Sequence, residues 1–277
     1  MSSTFQRKEV KYIATAEQAE RFARLVSGHL QPDKYGRCYI KSTYFDTPDL
    51  LLASRSMSKP TYKEKLRVRQ YGGTNGEFKS WDAKDASVFV ELKKKFKGIT
   101  YKRRVEISGV SASALINGTN VSELAETCGI KEFTPKQIMS EISSMAKRYE
   151  GIKPAMDVSY ARIAYAPVNE IEDADIRMTI DDDLRCALPN EAGERLIDAD
   201  KRIIEIKVPG AYPLWLTEAL SAAGLFPQSF SKYALSSQKI IENRNANNTS
   251  EQSASVNTEP STFSRHFEQP TQQRLVA

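Results

Sequence analysis

Lys65-Leu66-Arg67-Val68-Arg69 alternates cationic and aliphatic side chains without a break. Successive side chains of a strand point to opposite faces, so Lys65, Arg67 and Arg69 share one face while Leu66 and Val68 share the other. The same alternation recurs along the chain in both directions. Glu91 and Lys93 oppose Val90 and Leu92; Lys102, Arg104 and Glu106 oppose Arg103, Val105 and Ile107; Glu205 and Lys207 oppose Ile204, Ile206 and Val208. Glu9 with Lys11, Tyr160 with Arg162, and Arg177 with Thr179 and Asp181 extend the pattern. A half-exposed sheet accounts for one such strand, with its polar side in water. It accounts poorly for many, because strand centres favour apolar, aromatic or Thr residues even on an open face. Like charges facing each other across strands also repel, by on the order of 4 kcal/mol per unit pair at about 4 Å and an effective dielectric of about 20. Cationic centres on several strands at once are tolerable where water or a polyanion fills the space between them. The repeat therefore points to an anion-binding interior, with the apolar faces turned outward and covered by helices.

The remaining sequence fits that arrangement. Period-two segments rich in Val, Ile, Tyr, Phe and Thr cover residues 5–14, 37–45, 62–71, 87–96, 100–107, 154–165, 175–183 and 202–208. Gly72-Gly73 and Gly76 mark a turn-rich loop, and Lys97-Gly98 joins two segments tightly enough for a hairpin. Thr15 and Gln18 form a capping box that opens a helix to residue 27, and Thr134-Pro135 opens another to residue 149. Pro213 opens a third to residue 223, and Ser231 caps a fourth to residue 241. These elements predict an α+β fold: an eight-stranded antiparallel β-barrel tunnel with a polar cationic interior, flanked by helices. That domain occupies residues 1–242. Residues 243–277 are rich in Asn, Ser, Thr, Gln and Glu and read as a disordered tail.

Composition narrows the function. Lys and Arg number 40 against 35 Asp and Glu, a formal charge of only +5, so any preference for polyanions must come from where the charges sit. No apolar run approaches the roughly 18–20 residues that span a bilayer, and residues 1–11 lack the apolar core of a signal peptide. The chain is read as cytoplasmic and not itself membrane-spanning, with a membrane-protein partner left open. Cys38, Cys128 and Cys186 are far apart and read as free thiols in a reducing compartment. His29 and His266 are the only histidines, which leaves a phosphohistidine, a His-based zinc site and a Ser-His-Asp triad without support. His29 reads as a surface residue at a helix end, where a cation suits the helix dipole. No GxxxxGK[ST], GxGxxG or HExxH motif is present. A nucleic-acid binder would carry its cations as an outer stripe; enclosed ones cannot reach duplex phosphates, so no nucleic acid is expected.

Tyr44-Phe45-Asp46-Thr47, Lys65-Leu66-Arg67-Val68-Arg69, Phe89-Val90-Glu91-Leu92-Lys93, Tyr101-Lys102-Arg103-Arg104, Arg177-Met178-Thr179-Ile180-Asp181, Ile204-Glu205-Ile206-Lys207 and Phe230-Ser231-Lys232-Tyr233 follow one another in that order. Together they resemble the VTC domain, the polyphosphate-polymerase branch of the triphosphate tunnel metalloenzymes, from residue 5 to residue 241. The resemblance implies a tunnel whose Lys and Arg residues coordinate a triphosphate. It implies a phosphotransferase that moves the γ-phosphate of ATP onto a growing inorganic polyphosphate chain and releases ADP, with Mn2+ or Mg2+. Arg67, Arg69, Lys93, Arg162, Arg177 and Lys207 are then expected to be catalytic. Lys11, Lys65, Lys102 and Arg104 would bind phosphate, Ser231 and Lys232 would bind it at a tunnel mouth, and Glu205 and Glu91 would hold the metal.

For Glu91, pairing with Lys93 or a neighbouring Arg is an equal alternative. Glu9 reads as a salt-bridge partner, Asp182 and Asp183 as a strand-end turn, Lys94, Lys95 and Lys97 as largely solvated, and Trp81 and Trp215 as packing residues. Two positions depart from the family pattern. Hydrolytic and cyclase relatives begin with Glu-x-Glu-x-Lys, where this chain has Arg7-Lys8-Glu9-Val10-Lys11, and some polymerases carry Lys where this chain has Ser229. A tripolyphosphatase of the same fold and a non-catalytic polyphosphate sensor are the competing expectations.

Overall fold

The computed structural model describes residues 8–58, 60–73, 75–83, 86–97, 99–127, 132–169, 173, 175–189 and 191–256. Its strands are β1 (Lys8–Thr15), β2 (Leu30–Asp46), β3 (Tyr62–Gly72), β4 (Val88–Phe96), β5 (Ile99–Ile107), β6 (Lys153–Pro167), β7 (Arg177–Ala187), β8 (Glu194–Arg195) and β9 (Lys201–Val208). Every alternating segment of the sequence is a strand. Eight form one antiparallel sheet in the order β1-β9-β7-β6-β2-β3-β4-β5, and the two-residue β8 pairs with β7. The expected start of β1 at residue 5, together with Arg7, Gly98 and Cys128, lies outside the described residues.

The expected closed barrel is corrected to an open, curled sheet: among the described residues no ladder joins β1 to β5. A closing ladder would press the Lys11 face of β1 onto the Lys102–Arg104 face of β5, and like charges side by side oppose it. The sheet still curls far enough for Lys93 on β4 to sense Glu9 and Lys11 on β1. Residues 230–231 link β1 to β3 across the concave side: Lys11 Nζ donates to the Phe230 carbonyl at 3.1 Å and Lys65 Nζ to Ser231 Oγ at 3.2 Å.

The helices are α1 (Ala16–Leu25), α2 (Leu51–Met57), α3 (Gly109–Ile116), α4 (Val121–Thr127), α5 (Phe133–Arg148), α6 (Leu214–Ala222) and α7 (Lys232–Val256). α1, α3, α4, α5 and α6 cover the convex side. The Thr15–Gln18 capping box forms as expected. Leu66, Val68, Val90, Leu92 and Val105 pack against Leu115, Met139, Ile142 and Met145. Tyr12, Met178, Ile204, Ile206 and Val208 pack against Phe22 and Leu216. Each such aliphatic or aromatic side chain contributes about 1.5–3 kcal/mol when fully buried, which is what holds the helices to the sheet.

The concave side is not polar throughout. Ladder register puts Ile40, Tyr44, Met156, Val158 and Tyr160 on the same face as Arg67 and Arg69. Tyr233 and Ile240 of α7 pack on this apolar floor. A polar cationic lining therefore occupies the two flanks of the curl, and residues 232–240 at the start of α7 occupy the middle. The helix expected to end near residue 241 runs on to Val256, propagated from a packed first half through residues that would rarely start a helix alone. The chain divides into two units, Met1–Ile240 and Ile241–Ala277, and the tail expected from residue 243 falls in the second, where residues 257–277 lie outside the described residues.

Asp182 and Asp183 are not a strand-end turn. β7 continues through them to Ala187, with a register shift against β6 that Asp183 absorbs at φ 47. Arg37 holds Asp182 through two bonds of 2.7 and 2.6 Å, and Arg185 and Arg195 pair with Asp183, so the charges that suggested a turn are neutralised within the sheet. His29 is likewise more than a surface residue at a helix end: its ring stacks on Trp215 at 4.1 Å, and Nδ1 lies 3.1 Å from Asp173 Oδ2. Trp215 packs against the core beside α6 and Trp81 against the core beneath α5, as packing residues do.

Candidate functional site: the concave cationic face

Cross-strand register builds the site in rows. On β3, β4 and β5, Lys65 faces Lys93 and Lys93 faces Lys102; one step on, Arg67 faces Glu91 and Glu91 faces Arg104. On β1, β9 and β7, Glu9 faces Lys207 and Lys207 faces Arg177, then Lys11 faces Glu205 and Glu205 faces Thr179. Arg162 on β6 faces Asp181 on β7. The expected residues Lys11, Lys65, Arg67, Arg69, Glu91, Lys93, Lys102, Arg104, Arg162, Arg177, Glu205 and Lys207 thus share one face of the sheet. Ser231 and Lys232 reach it from the start of α7. Arg177 lies at the exposed end of its row.

Two carboxylate-centred clusters flank the row of lysines. In the first, Glu91 is 1% exposed and is surrounded by cations: Arg67 Nη2 and Nε lie 2.5 and 2.8 Å from Oε2, Lys102 Nζ 3.2 Å from Oε1, Arg104 Nε 3.7 Å from Oε1 and Arg69 Nε 4.0 Å from Oε2. Burial alone would raise its pKa, but Arg67, Arg69 and Lys102 reverse this and hold it at about 2. Of the alternatives left open by sequence, the structure places Glu91 with Arg67. In the second cluster, Asp181 is fully buried: Arg162 Nε and Nη2 lie 2.6 and 2.7 Å from its two oxygens, and Lys232 Nζ lies 2.6 Å from Oδ2. Lys232 Nζ also lies 3.2 Å from Glu205 Oε1, with Lys11 Nζ at 3.4 Å from the same oxygen. Burial works against the Lys232 charge, but Asp181 and Glu205 more than offset it and raise the ammonium pKa. Burial likewise opposes the Glu205 charge, and Lys232, Lys11 and Arg162 together lower its pKa far below the usual carboxylate range. Glu9 pairs with Lys11 and Lys207 at 3.5 and 3.8 Å, as the sequence suggests.

Lys65 and Lys93 lie between the clusters, and among the described residues neither has a carboxylate at ion-pairing distance. Lys65 is pushed down to about 7 by burial first, then by Lys93, Lys63, Lys11 and Arg67. Burial also lowers Lys93, with Lys11 and Arg67 adding to it and Glu9 opposing. Glu91 Oε1 is held by the Lys102 ammonium at 3.2 Å, whereas the buried Thr179 Oγ1 on the same face has no hydrogen-bond partner among the described residues. Half-buried Lys65 and exposed Lys93, both without a carboxylate at ion-pairing distance, leave positive charge on the concave face that an anion can neutralise.

The tunnel family implies a divalent metal. Among the described residues no three His, Cys, Asp or Glu side chains gather, so the protein alone does not cage an ion. Mg2+ and Mn2+ suit a different arrangement, in which one or two carboxylates hold an ion that keeps several waters and takes phosphate oxygens as its other ligands. Glu205, with the unsatisfied Thr179 hydroxyl as its ladder partner, would serve as such a carboxylate by exchanging part of its pairing with Lys11, Arg162 and Lys232 for the ion. Glu91 lies within 4 Å of four cations, Arg67, Arg69, Lys102 and Arg104.

Sequence reading passed over several contributors. Asp181 sits in the alternating pattern, but nothing local marks it as the anchor of Arg162 and Lys232. Tyr44 and Tyr160 accept hydrogen bonds from Arg67 Nη1 at 2.9 Å and Arg69 Nη2 at 3.3 Å, and Ser42 Oγ accepts from Arg69 Nε at 3.2 Å. Their shared parity with Arg67 and Arg69 across the β2–β3 and β2–β6 ladders was the available signal.

Comparison with known proteins agrees with this geometry. A putative adenylyl cyclase from Hippeastrum, described as having a dominant triphosphatase activity, shares 17% identity over 83% of this chain and 95% of its own, with a TM-score of 0.51. A protein from Pyrococcus horikoshii OT3 shares 17% identity over 85% of this chain and 98% of its own, with a TM-score of 0.42. A putative adenylate cyclase from Vibrio parahaemolyticus shares 11% over 83% and 97%, with a TM-score of 0.41. No curated protein matches the chain. The Hippeastrum likeness shows the triphosphate tunnel fold. The family model described as the VTC domain matches residues 6–241, and the chain belongs to the VTC domain family.

Proposed function

We propose that the protein is a polyphosphate polymerase that transfers the γ-phosphate of ATP to the end of an inorganic polyphosphate chain and releases ADP. The family match and the tunnel fold support a polyphosphate- or triphosphate-related enzyme. The observation that carries the phosphate reading is the row Lys65, Lys93 and Lys102 across three neighbouring strands, with like charges opposite one another. Ladder partners of one sign destabilise a sheet unless something neutralises them, and a phosphate chain matches both the charge and the length of the row.

In this reading Arg67 and Arg69 grip non-bridging oxygens with their planar forks, while Lys65, Lys93 and Lys11 follow the chain as movable point charges. Glu91 keeps Arg67 aimed, and Asp181 does the same for Arg162. A terminal phosphate oxygen of the acceptor attacks the γ-phosphorus, the bond from that phosphorus to the β–γ bridging oxygen breaks, and the electron pair leaves with ADP. Acceptor and leaving group are both phosphates, so no proton need move and no general base is required. Glu205 is the residue that would hold a divalent ion, Mn2+ or Mg2+, which supplies charge neutralisation on the phosphate oxygens. The work of Arg67, Arg162 and the lysines is alignment and electrostatic stabilisation.

Hydrolysis is the second reading, favoured by the description of the Hippeastrum protein. Incubation with ATP and Mn2+, with products resolved by length, separates the two. The proposal expects ADP and long polymer; orthophosphate without polymer points to a triphosphatase, and tight polyphosphate binding without turnover points to a sensor.

A further inference from the structure

Of Tyr44-Phe45-Asp46-Thr47, the site as described uses only Tyr44. Asp46 is fully buried, and a carboxylate in such a place must be satisfied by donors. Four provide this. Thr47 N and Leu52 N donate to Oδ1 at 2.8 Å each, Ala53 N donates to Oδ2 at 3.0 Å, and the Tyr233 hydroxyl donates to Oδ2 at 2.5 Å. The first three are local and fix the turn into α2. The fourth comes from a residue 187 positions away, in the first turn of α7.

That turn carries Ser231 and Lys232 into the concave face. Ser231 Oγ accepts from Ala234 N at 3.3 Å and from Lys65 Nζ at 3.2 Å, so it caps the helix and touches the lysine row at once. The Tyr233 ring lies 4.7 Å from that of Tyr44, which accepts from Arg67, and Lys65 Nζ sits 4.6 Å over the Tyr233 ring. Ring packing alone leaves a helix free to slide or roll by fractions of an ångström. A directed hydrogen bond to an immobile carboxylate does not.

We infer that Asp46 and Tyr233 are positioning residues for phosphate binding: the bond between them sets where Ser231 meets the lysine row and where Lys232 seats beside Asp181 and Glu205. The inference rests on reading that row as a phosphate site. Tyr233→Phe removes one hydroxyl and keeps the ring contacts and the three N–H bonds to Asp46. Calorimetry with inorganic tripolyphosphate is expected to show affinity reduced about tenfold, the scale of one hydrogen bond to a charged group. Asp46→Asn is expected to act in the same direction. The decisive readout is coupling: Ser231→Ala should weaken binding in the wild-type chain but by less than about twofold in the Tyr233→Phe background, because its oxygen is already misplaced there. A purely structural bond would give effects that multiply.

Lys93→Met tests the underlying reading separately. If that variant binds tripolyphosphate like the wild type, the phosphate reading itself fails. If it loses binding while Tyr233→Phe binds like the wild type, or while the two changes multiply in full, the positioning role is overturned and the phosphate reading stands. Loss of cooperative melting in both Tyr233→Phe and Asp46→Asn would show that the bond holds the fold rather than the segment, and would also overturn the inference.

Discussion

Lys65 offers a test in which the structure sets both sign and size. Its ammonium is buried, faces Lys93 across the ladder, and falls from 10.5 to about 7. At about 1.4 kcal/mol per tenfold change, keeping it charged in the empty protein costs on the order of 5 kcal/mol. In the unfolded chain the group stays protonated up to its ordinary value. Between pH 7 and 10.5 the unfolded state therefore binds more protons than the folded one, and the Lys65 contribution to stability rises with pH across that window. Below 7 both states are charged and the cost is full and constant. A phosphate chain on the row reverses the preference, because it stabilises the ammonium. Binding of tripolyphosphate at about pH 8.5 should therefore draw close to one proton from solution onto Lys65, and its affinity should fall by up to about tenfold per pH unit above 7. At about pH 6 this uptake vanishes. The assay is calorimetry in buffers of different ionisation enthalpy, comparing wild type with Lys65→Met. The ligand's own titration is common to both proteins and cancels in the difference. Equal proton uptake by the two proteins at high pH would refute the assignment of Lys65 to the phosphate path.

Three further outcomes follow from the same geometry. Lys93→Met should raise the melting temperature of the ligand-free protein, by removing a repulsive ladder partner, and should shrink the rise that tripolyphosphate produces; a lower melting temperature would show that Lys93 is not under strain. Glu91→Gln should destabilise the fold by about 3–5 kcal/mol, as when one partner of a buried ion pair is lost, visible as a fall in the denaturation midpoint; an unchanged midpoint would contradict its role as counter-ion to Arg67. Ile142→Ala, in the core under α5, should cost about 2–5 kcal/mol of stability while leaving tripolyphosphate affinity unchanged, since the convex side only supports the sheet; altered affinity would contradict that separation of faces.

Side-chain parity was legible in the sequence because the strand period is two and every ladder transmits it unchanged. Lys65-Leu66-Arg67-Val68-Arg69 and its counterparts therefore revealed both the cationic face and the apolar face that needs helices. The open edge between β1 and β5 was not legible, since closure depends on how two distant charged strands meet. Nor was the apolar floor of β2 and β6: Ile40, Ser42 and Tyr44 alternate with Lys41 and Thr43, so neither face declares itself until α7 is seen to cover one of them. α2, α3 and α4 are seven or eight residues long, too short for helical periodicity to rise above noise. Asp181-Asp182-Asp183 resembles a turn in composition, yet Arg162, Arg37 and Arg185 each neutralise one of the three inside β7. Local sequence holds no record of partners that far away.

The most direct test of the account is a crystal structure of the protein grown or soaked with tripolyphosphate and Mn2+. The account predicts phosphate density inside the curl of the sheet, within hydrogen-bonding reach of Lys65, Arg67 and Lys93, with Lys11 and Lys232 at its other flank. Phosphate on the helix-covered side, or an interior that stays empty at saturating ligand, would contradict it.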